Sequence, residues 1–168
     1  FLDLLCEVWK ETRHPLFEDR IRETIGWLRE EMLITQDGLS AFASSLDADS
    51  DGAEGAFYTW RAEEIDSILG ADGAWFREIY DVTAFGNWPE GGENASIPNR
   101  LQTQGRLSPD EEKRLGVLRG KLRQARGKRP RPARDDKVLA DWNGLMIAAL
   151  AKCAQAFHAP EWLATAES

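Results

Sequence analysis

Residues 1–33 decide the fold first, and they read FLDLLCEVWKETRHPLFEDRIRETIGWLREEML. Apolar side chains recur at helical spacing in both halves of this stretch, which predicts a helix over residues 1–12 and a second from Pro15 to about Leu33. Proline suits the first position of a helix, where its missing N–H costs little. Because only a two-residue turn separates the two helices, we expect an antiparallel helical hairpin over residues 1–34.

The apolar period changes after Asp37-Gly38, which we take as the end of this hairpin. Apolar and polar side chains alternate over residues 42–46 and again over residues 57–60, and a polar, glycine-containing turn fills residues 47–55. This pattern predicts a small antiparallel β-hairpin. We place it in an otherwise irregular insert that spans residues 39–107.

Further helices are predicted at residues 62–69, 73–80, 108–127 and 138–158. Asp72 is a good N-cap for the second of these helices. Ser108-Pro109-Asp110-Glu111 has the pattern of a capping box at the start of the third. The fourth is rich in alanine and glycine, so neighbouring elements can approach it closely. The expected fold class is therefore mainly α with one small β-hairpin, in a single segment of residues 1–168.

The composition is that of a soluble globular protein. The chain has 168 residues, a net charge of −8 and 42% hydrophobic residues. The longest apolar run, Leu145–Ala151, is too short to cross a bilayer, and no signal peptide opens the chain. Because the first residue is Phe1 rather than Met, we expect the natural start to lie outside this chain. Cys6 and Cys153 belong to no Cys-x-x-Cys pair, which favours a reduced, cytoplasmic protein, with a disulfide between them left open.

Positive charge is concentrated in residues 100–137, which hold 13 Lys or Arg and five Asp or Glu. Such a block can form a phosphate-binding surface. The favoured alternative is a solvated helix face with a basic loop that docks on the acidic remainder of the chain. No aromatic residue lies between Arg100 and Arg134, so stacked bases would find no platform. We therefore expect no nucleic-acid partner.

An acidic loop carries the first candidate site. Asp47, Asp49 and Asp51, followed by Gly52, match the first half of a calcium-binding loop, D-x-D-x-D-G. The match then fails, because Tyr58 occupies the position of the bidentate glutamate, and the loop is not an EF-hand. Three alternatives stay open. The aspartates could form a weak calcium site, or they could form an Asx-rich turn. Asp47 or Asp49 could also point into a cleft and act there as an acid or base, or bind a hydroxyl group.

A second candidate site precedes the last long helix, in residues 134–144. This segment brings together Asp136 and Lys137, which could form an ion pair, and the amide of Asn143. Trp142 adds a flat apolar face with one N–H donor. Carboxylates, an amide and an indole face are what a sugar-binding cleft uses. The alternative is a well-capped helix, with Asp141 or Asn143 as its cap and with Trp142 in the core.

No other catalytic pattern is present. The sequence has no glycine-rich phosphate loop, no G-x-S-x-G and no H-E-x-x-H. We therefore expect no cofactor and no resident metal, and whether the chain is an enzyme stays open.

Three motifs resemble those of a known family. SLDADSDG at residues 45–52, continued by EGAFYTW at residues 54–60, resembles one signature of the YyaL family, and RPARDDKVLADWNGLM at residues 131–146 resembles a second. Gly86-Asn87-Trp88, followed by Asn94, is similar to a third. These are thioredoxin-domain-containing proteins, typified by spermatogenesis-associated protein 20. The chain departs from the pattern at Arg61, where a Ser or Thr cap is usual.

The resemblance implies a longer protein, with a thioredoxin-like domain followed by an (α/α)6 toroid like that of six-hairpin glycosidases and N-acylglucosamine 2-epimerases. This chain would be a middle segment of the toroid, and no redox role carries over to it. The fold analogy suggests a carbohydrate-binding or carbohydrate-modifying function. The candidate catalytic residues are Asp47, Asp49, Asp136 and Lys137, and the candidate substrate-binding residues are Trp60, Trp142 and Asn143.

Two other functions stay open beside the carbohydrate hypothesis: a non-catalytic scaffold or interaction module, and a calcium-binding module. A partial toroid exposes helix faces that its neighbours would cover. We therefore expect self-association, or packing against the remainder of the same longer protein, and no membrane partner.

Overall fold

Helices account for 56% of the residues in the computed structural model, which describes residues 1–168. The predicted mainly α class is confirmed, and the structure has two small antiparallel hairpins where the sequence predicted one. The chain forms two compact units: a terminal unit of residues 1–46 and 134–168, and an inserted unit of residues 47–133. None of the helices is long and apolar enough to span a membrane.

The regular elements follow one another in short segments. In chain order they are α1 (Leu2–Thr12), α2 (Pro15–Trp27), a π-helical turn (Leu28–Met32), β1 (Leu33–Gln36), β2 (Leu39–Phe42), β3 (Ser45–Leu46), β4 (Asp49–Ser50), β5 (Ala53–Glu54), α3 (Ala62–Leu69), a 3-10 turn (Gly70–Asp72), α4 (Gly73–Ile79), a 3-10 turn (Pro89–Gly91), α5 (Pro109–Arg126), β6 (Arg134–Asp135), α6 (Ala140–Phe157) and α7 (Pro160–Glu167).

The helical hairpin of the terminal unit forms as predicted. α1 ends at Arg13, whose left-handed backbone (φ 53°) lets its N–H donate to the Trp9 carbonyl. His14 then caps α2, because its Nδ1 accepts from the N–H of Leu16 at 3.2 Å. The helical path continues to Met32, but its last turn has π rather than α hydrogen bonding, which the periodicity did not predict.

The predicted pairing of residues 42–46 with residues 57–60 is wrong. Instead, β1 pairs with β2 across Asp37-Gly38, and β4 pairs with β5 across Asp51-Gly52. Both residues of each dipeptide have positive φ, which is the backbone of a two-residue type I′ turn. Because such a turn closes a far shorter loop than the predicted one, it costs less chain entropy. Residues 45–46 pair with residues 134–135 instead.

The inserted unit is built on α3, α4 and α5, whose apolar faces share one core. The capping box at the start of α5 is confirmed, since Ser108 Oγ accepts from Glu111 N–H and Glu111 accepts from Ser108 N–H. Asp72 occupies the N-cap position of α4 as predicted, but its side chain makes no cap hydrogen bond. Its carboxylate pairs with Arg114 on α5 instead.

Both cysteines are free thiols in the core of the terminal unit, Cys6 on α1 and Cys153 on α6. The Sγ of Cys6 donates to the Lys152 carbonyl at 3.9 Å. Burial, with Cys6 alongside, raises the pKa of the Cys153 thiol to about 12. Thiolate is the reactive form of cysteine, so this pKa keeps Cys153 unreactive near neutral pH.

We therefore expect neither thiol to react with iodoacetamide at pH 7.5 in the folded chain, and both to react in denaturant. Mass spectrometry of the labelled protein measures this directly. Rapid labelling of two thiols without denaturant would contradict the buried placement of the cysteines.

Candidate functional site

A pocket of about 180 Å³ lies in the terminal unit, and we call it the Trp142 pocket. It is lined by residues of the π-helical turn, of β2 and the loop after it, and of the start of α6. They are Leu28, Met32, Phe42, Ala43, Ser44, Leu139, Trp142, Asn143 and Met146. The lining is predominantly apolar and includes both methionines of the chain.

Asn143 holds the two sides of this pocket together. Its Oδ1 accepts from the Phe42 N–H at 2.7 Å, and its Nδ2 donates to the Phe42 carbonyl at 3.1 Å. Nδ2 also donates to the Leu139 carbonyl at 3.0 Å. These bonds occupy both amide protons, so the side chain positions β2 against α6 and has no donor left for a ligand.

Trp142 is the exposed member of the pocket. Its side chain is 53% exposed although it contributes to the lining, which places the indole at the mouth. The alternative that placed Trp142 in the core is therefore wrong. The proposed caps also fail, because neither Asp141 nor Asn143 caps α6. The Asp141 carboxylate accepts from the backbone N–H of Trp142 instead.

The segment before α6 is fixed by short-range ion pairs. The predicted pair of Asp136 with Lys137 does not form. Asp136 accepts from Arg134 Nε at 2.5 Å, and Lys137 Nζ lies 2.9 Å from Asp135. The side-chain contact with Lys137 and the bond from its backbone N–H hold the pKa of Asp135 below its usual range. Asp136 and Lys137 are both exposed.

This segment is anchored to the pocket wall. Ser44 donates twice to the Asp135 carbonyl, from its N–H and from its Oγ, at 3.1 Å each. Arg134 Nη1 donates to the Glu31 carbonyl of the π-helical turn at 3.1 Å. The second sequence motif therefore builds one wall of the Trp142 pocket and ties it to the hairpin.

The acidic loop belongs to the inserted unit and is solvated. Asp47, Asp49 and Asp51 are all exposed. The Asp49 N–H donates to Asp47 Oδ1 at 3.1 Å, which is an Asx turn, and Asp51 is the first residue of the type I′ turn. The structure has no group of three or more His, Cys, Asp or Glu side chains placed to hold a metal ion. The acid–base and calcium hypotheses stay predictions.

Trp60 lies in the core of the inserted unit and is only 5% exposed. Arg129 covers its ring at 4.1 Å from the centroid. The same guanidinium donates to the carbonyls of Ala56, Phe57 and Thr59 at 3.3, 3.1 and 2.7 Å. The second terminal nitrogen of Arg129, Nη2, lies 3.2 Å from Oε1 of Glu64 and forms an ion pair with it. Arg129 therefore holds the residues of the first motif in place. No sequence signal separated it from the other basic residues in the stretch 100–137.

The third motif, Gly86-Asn87-Trp88, holds a loop in place by hydrogen bonds to its backbone. Asn87 Nδ2 donates to the Asp81 and Ile97 carbonyls at 2.9 and 3.1 Å, and Asn87 Oδ1 accepts from the Ile97 N–H at 2.8 Å. Gly86 has a φ of +72°, and a Cβ at this position would overlap the backbone of Asn94 and Ala95. Only glycine fits there, which accounts for the glycine of this motif.

Replacing Gly86 with alanine is expected to lower the free energy of unfolding of the inserted unit by at least about 1 kcal/mol, because it adds backbone strain and a steric overlap. Gly52→Ala is the matched control, since Gly52 lies in the same unit and has a similar φ of +77°, but nothing lies within 4 Å of its Cβ position. Thermal melts compare the two variants. Equal losses would contradict the close approach at Gly86.

Comparisons with known proteins show that the chain is similar to parts of two much longer proteins. No protein-family model matches it. It is 34% identical to spermatogenesis-associated protein 20 of Homo sapiens over 66% of the chain and 18% of that protein. It is 27% identical to Uncharacterized protein B0495.5 of Caenorhabditis elegans over 92% of the chain and 25% of that protein. The chain thus spans a quarter or less of the curated relatives it matches.

Proposed function

Because the chain is related to the spermatogenesis-associated protein 20 family, we propose that it is a segment of a longer helical protein and serves there as a non-catalytic interaction module. Its partners in this proposal are further helices of the same polypeptide, arranged with it in an (α/α)6 toroid. The observation that carries the proposal is the exposed apolar surface of α6.

The composition of α6 is that of a helix buried on all sides. Its sequence is ADWNGLMIAALAKCAQAF, in which four of the 18 residues carry polar side chains. A helix that is apolar all round belongs in the interior of a larger protein. One side of α6 meets this expectation, because Ala149, Leu150, Cys153 and Ala154 are buried in the core of the terminal unit.

The other sides of α6 face solvent. Leu145 is 73% exposed and Ile147 is 46% exposed. Gly144 and Ala148 are also exposed, so a neighbouring helix could approach the backbone closely between the larger side chains. Fully burying a leucine or isoleucine contributes roughly 1.5–3 kcal/mol. Covering this surface would therefore stabilise the terminal unit substantially.

The greater length of the relatives favours other helices of the same polypeptide as the cover. Relatives of which this chain spans 18% and 25% have ample further sequence to supply them. A second copy of the chain would cover the same surface when those helices are absent. Self-association of the isolated segment is therefore an expected consequence of the proposal.

The state of the candidate catalytic groups supports a non-catalytic role. Asp136 and Lys137 are exposed and form ion pairs with residues two positions away. Asp47 and Asp49 are exposed on a turn. A general acid or base is a titratable side chain held beside the reacting atoms, commonly in a partly buried position, and none of these four groups is buried.

Light scattering tests the proposal. The chain is expected to self-associate as its concentration rises, and the double variant Leu145→Gln/Ile147→Gln is expected to shift it towards monomer. Val117→Gln is the matched control, because Val117 is 58% exposed on α5 but lies outside this surface. A wild-type chain that stays monomeric at high concentration would contradict the proposal, as would equal behaviour of the two variants.

A carbohydrate-binding role is the second candidate, and the exposed indole of Trp142 favours it. A sugar could stack its C–H face on that ring at the mouth of the pocket. Binding of a glycan panel to the protein, lost in Trp142→Ala and kept in Trp27→Ala, would support this candidate. Trp27 is the matched control, because it is 40% exposed on α2 and does not line the pocket. The absence of any saturable binding would exclude it.

A further inference from the structure

We infer that the Trp142 pocket is a binding site for a single aromatic ring of a small molecule, of the phenol class. This inference goes beyond the proposed function, because it assigns a ligand to the terminal unit that is separate from the helices proposed to cover α6. It stands on the size of the pocket, its chemistry and the irregular backbone that forms it.

The size of the pocket fits one ring. Its volume is about 180 Å³, and an engineered apolar cavity of about 150 Å³ in another protein binds benzene. Leu28, Met32, Phe42 and Ala43 line it and are each more than nine-tenths buried, so the core of the terminal unit fixes these walls. The exposed indole of Trp142 leaves one side accessible.

The chemistry of the walls favours an aromatic ring over an aliphatic one. Both methionines of the chain, Met32 and Met146, line the pocket, and thioether sulfur makes favourable contacts with aromatic rings. Phe42 and Trp142 add two rings that could meet a third in an offset or edge-to-face arrangement.

The polar groups of the lining are already engaged. Both amide protons of Asn143 are donated to backbone carbonyls, and the hydroxyl of Ser44 donates to the Asp135 carbonyl. A sugar would therefore find few free donors inside the pocket. An apolar ring needs none, and a phenol could keep its hydroxyl at the open side.

The π-helical turn forms one wall of the pocket and is held in place from outside the helix. Here the turn carries Leu28 and Met32, which both line the pocket. Two contacts from outside the helix hold it: Ala43 N–H donates to the Met32 carbonyl at 2.8 Å, and Arg134 donates to the Glu31 carbonyl.

The test is an NMR titration of the protein labelled with ¹³C at its two methionine methyl groups. Phenol and p-cresol are the probes, and methyl glucoside is the contrast. We expect saturable shifts of both methyl signals with the aromatic probes, and nuclear Overhauser contacts from ring protons to the methyl groups. Met32→Leu and Met146→Leu assign the two signals.

Two variants separate binding in the pocket from binding elsewhere. Ala43→Leu adds side-chain volume at a wall residue and is expected to weaken binding at least tenfold, whereas Ala148→Leu, on the exposed side of α6, should leave it unchanged. Repeating the titration in Leu145→Gln/Ile147→Gln removes any contribution from self-association. The outcome therefore does not depend on the proposed function.

Three results would overturn the inference. The first is the absence of saturable methyl shifts with either aromatic probe at millimolar concentration. The second is saturable binding with no nuclear Overhauser contact from ring protons to the methyl groups, which would place the ligand outside the pocket. This result can be obtained with the unmodified chain, so it stands even if Ala43→Leu fails to fold. The third is a stronger response to methyl glucoside than to the rings, which would favour the carbohydrate candidate.

Discussion

Replacing Asn143 with alanine is expected to lower the free energy of unfolding of the terminal unit by about 3 kcal/mol. The substitution removes three partly buried hydrogen bonds and leaves the N–H and carbonyl of Phe42 without these partners. An unsatisfied buried backbone group costs roughly 1–3 kcal/mol. Urea unfolding followed by circular dichroism measures the change.

Asn143→Asp tests the donor half of this contact. It keeps an acceptor for the Phe42 N–H but places a carboxylate oxygen, in place of the donating amide, against the Phe42 and Leu139 carbonyls. A loss at least as large as that of Asn143→Ala is therefore expected. Gln155→Ala, at an exposed site on the same helix, should change stability by less than about 0.5 kcal/mol. If Asn143→Ala were as mild as this control, the amide would not be holding β2 against α6.

Replacing Arg129 with alanine is expected to have a comparable effect on the inserted unit, again about 3 kcal/mol. The guanidinium donates to three carbonyls, pairs with Glu64 and covers the ring of Trp60. Hydrogen bonds to a charged group contribute roughly 1.5–3 kcal/mol, and the lost cation–π contact adds to this. Thermal unfolding monitored by tryptophan fluorescence reports the loss.

Arg129→Lys tests whether the planar fork matters rather than the charge alone. A lysine cannot reproduce the forked geometry, so it should recover less than half of the lost stability. Lys128→Ala is the matched control, because it removes a neighbouring positive charge at an exposed position. Equal destabilisation by the two alanine variants would show that charge, and not the contacts of Arg129, supports the motif.

The helices could be predicted because their signals are local. The stripes of α1, α2, α3, α5 and α6 repeat within a few residues, and Ser108 with Glu111 marks a helix start. The strands could not be placed by alternation, because each has only two to four residues. The Asp-Gly dipeptides at 37–38 and 51–52 were the better signal, since their positive φ fixes both hairpin turns.

The site could be predicted only in part, because its contacts are distant in sequence. Asn143 and Phe42 lie 101 positions apart, and no local spacing links them. Trp60 and Trp142 both sit in motifs, yet the first is buried and the second is exposed. Burial of an aromatic ring depends on which distant elements pack on it. The π-helical turn could not be predicted either, because no repeat of apolar residues distinguishes it from the last turn of an α-helix.

Accessibility of position 145 tests the central claim most directly. In Leu145→Cys the new thiol replaces a side chain that is 73% exposed, while the native thiols are buried and give little background. Labelling with a maleimide should be fast in the isolated chain at low concentration. In the longer polypeptide proposed here it should be slower by at least tenfold, because further helices cover α6. Equal labelling rates in the two would contradict the account.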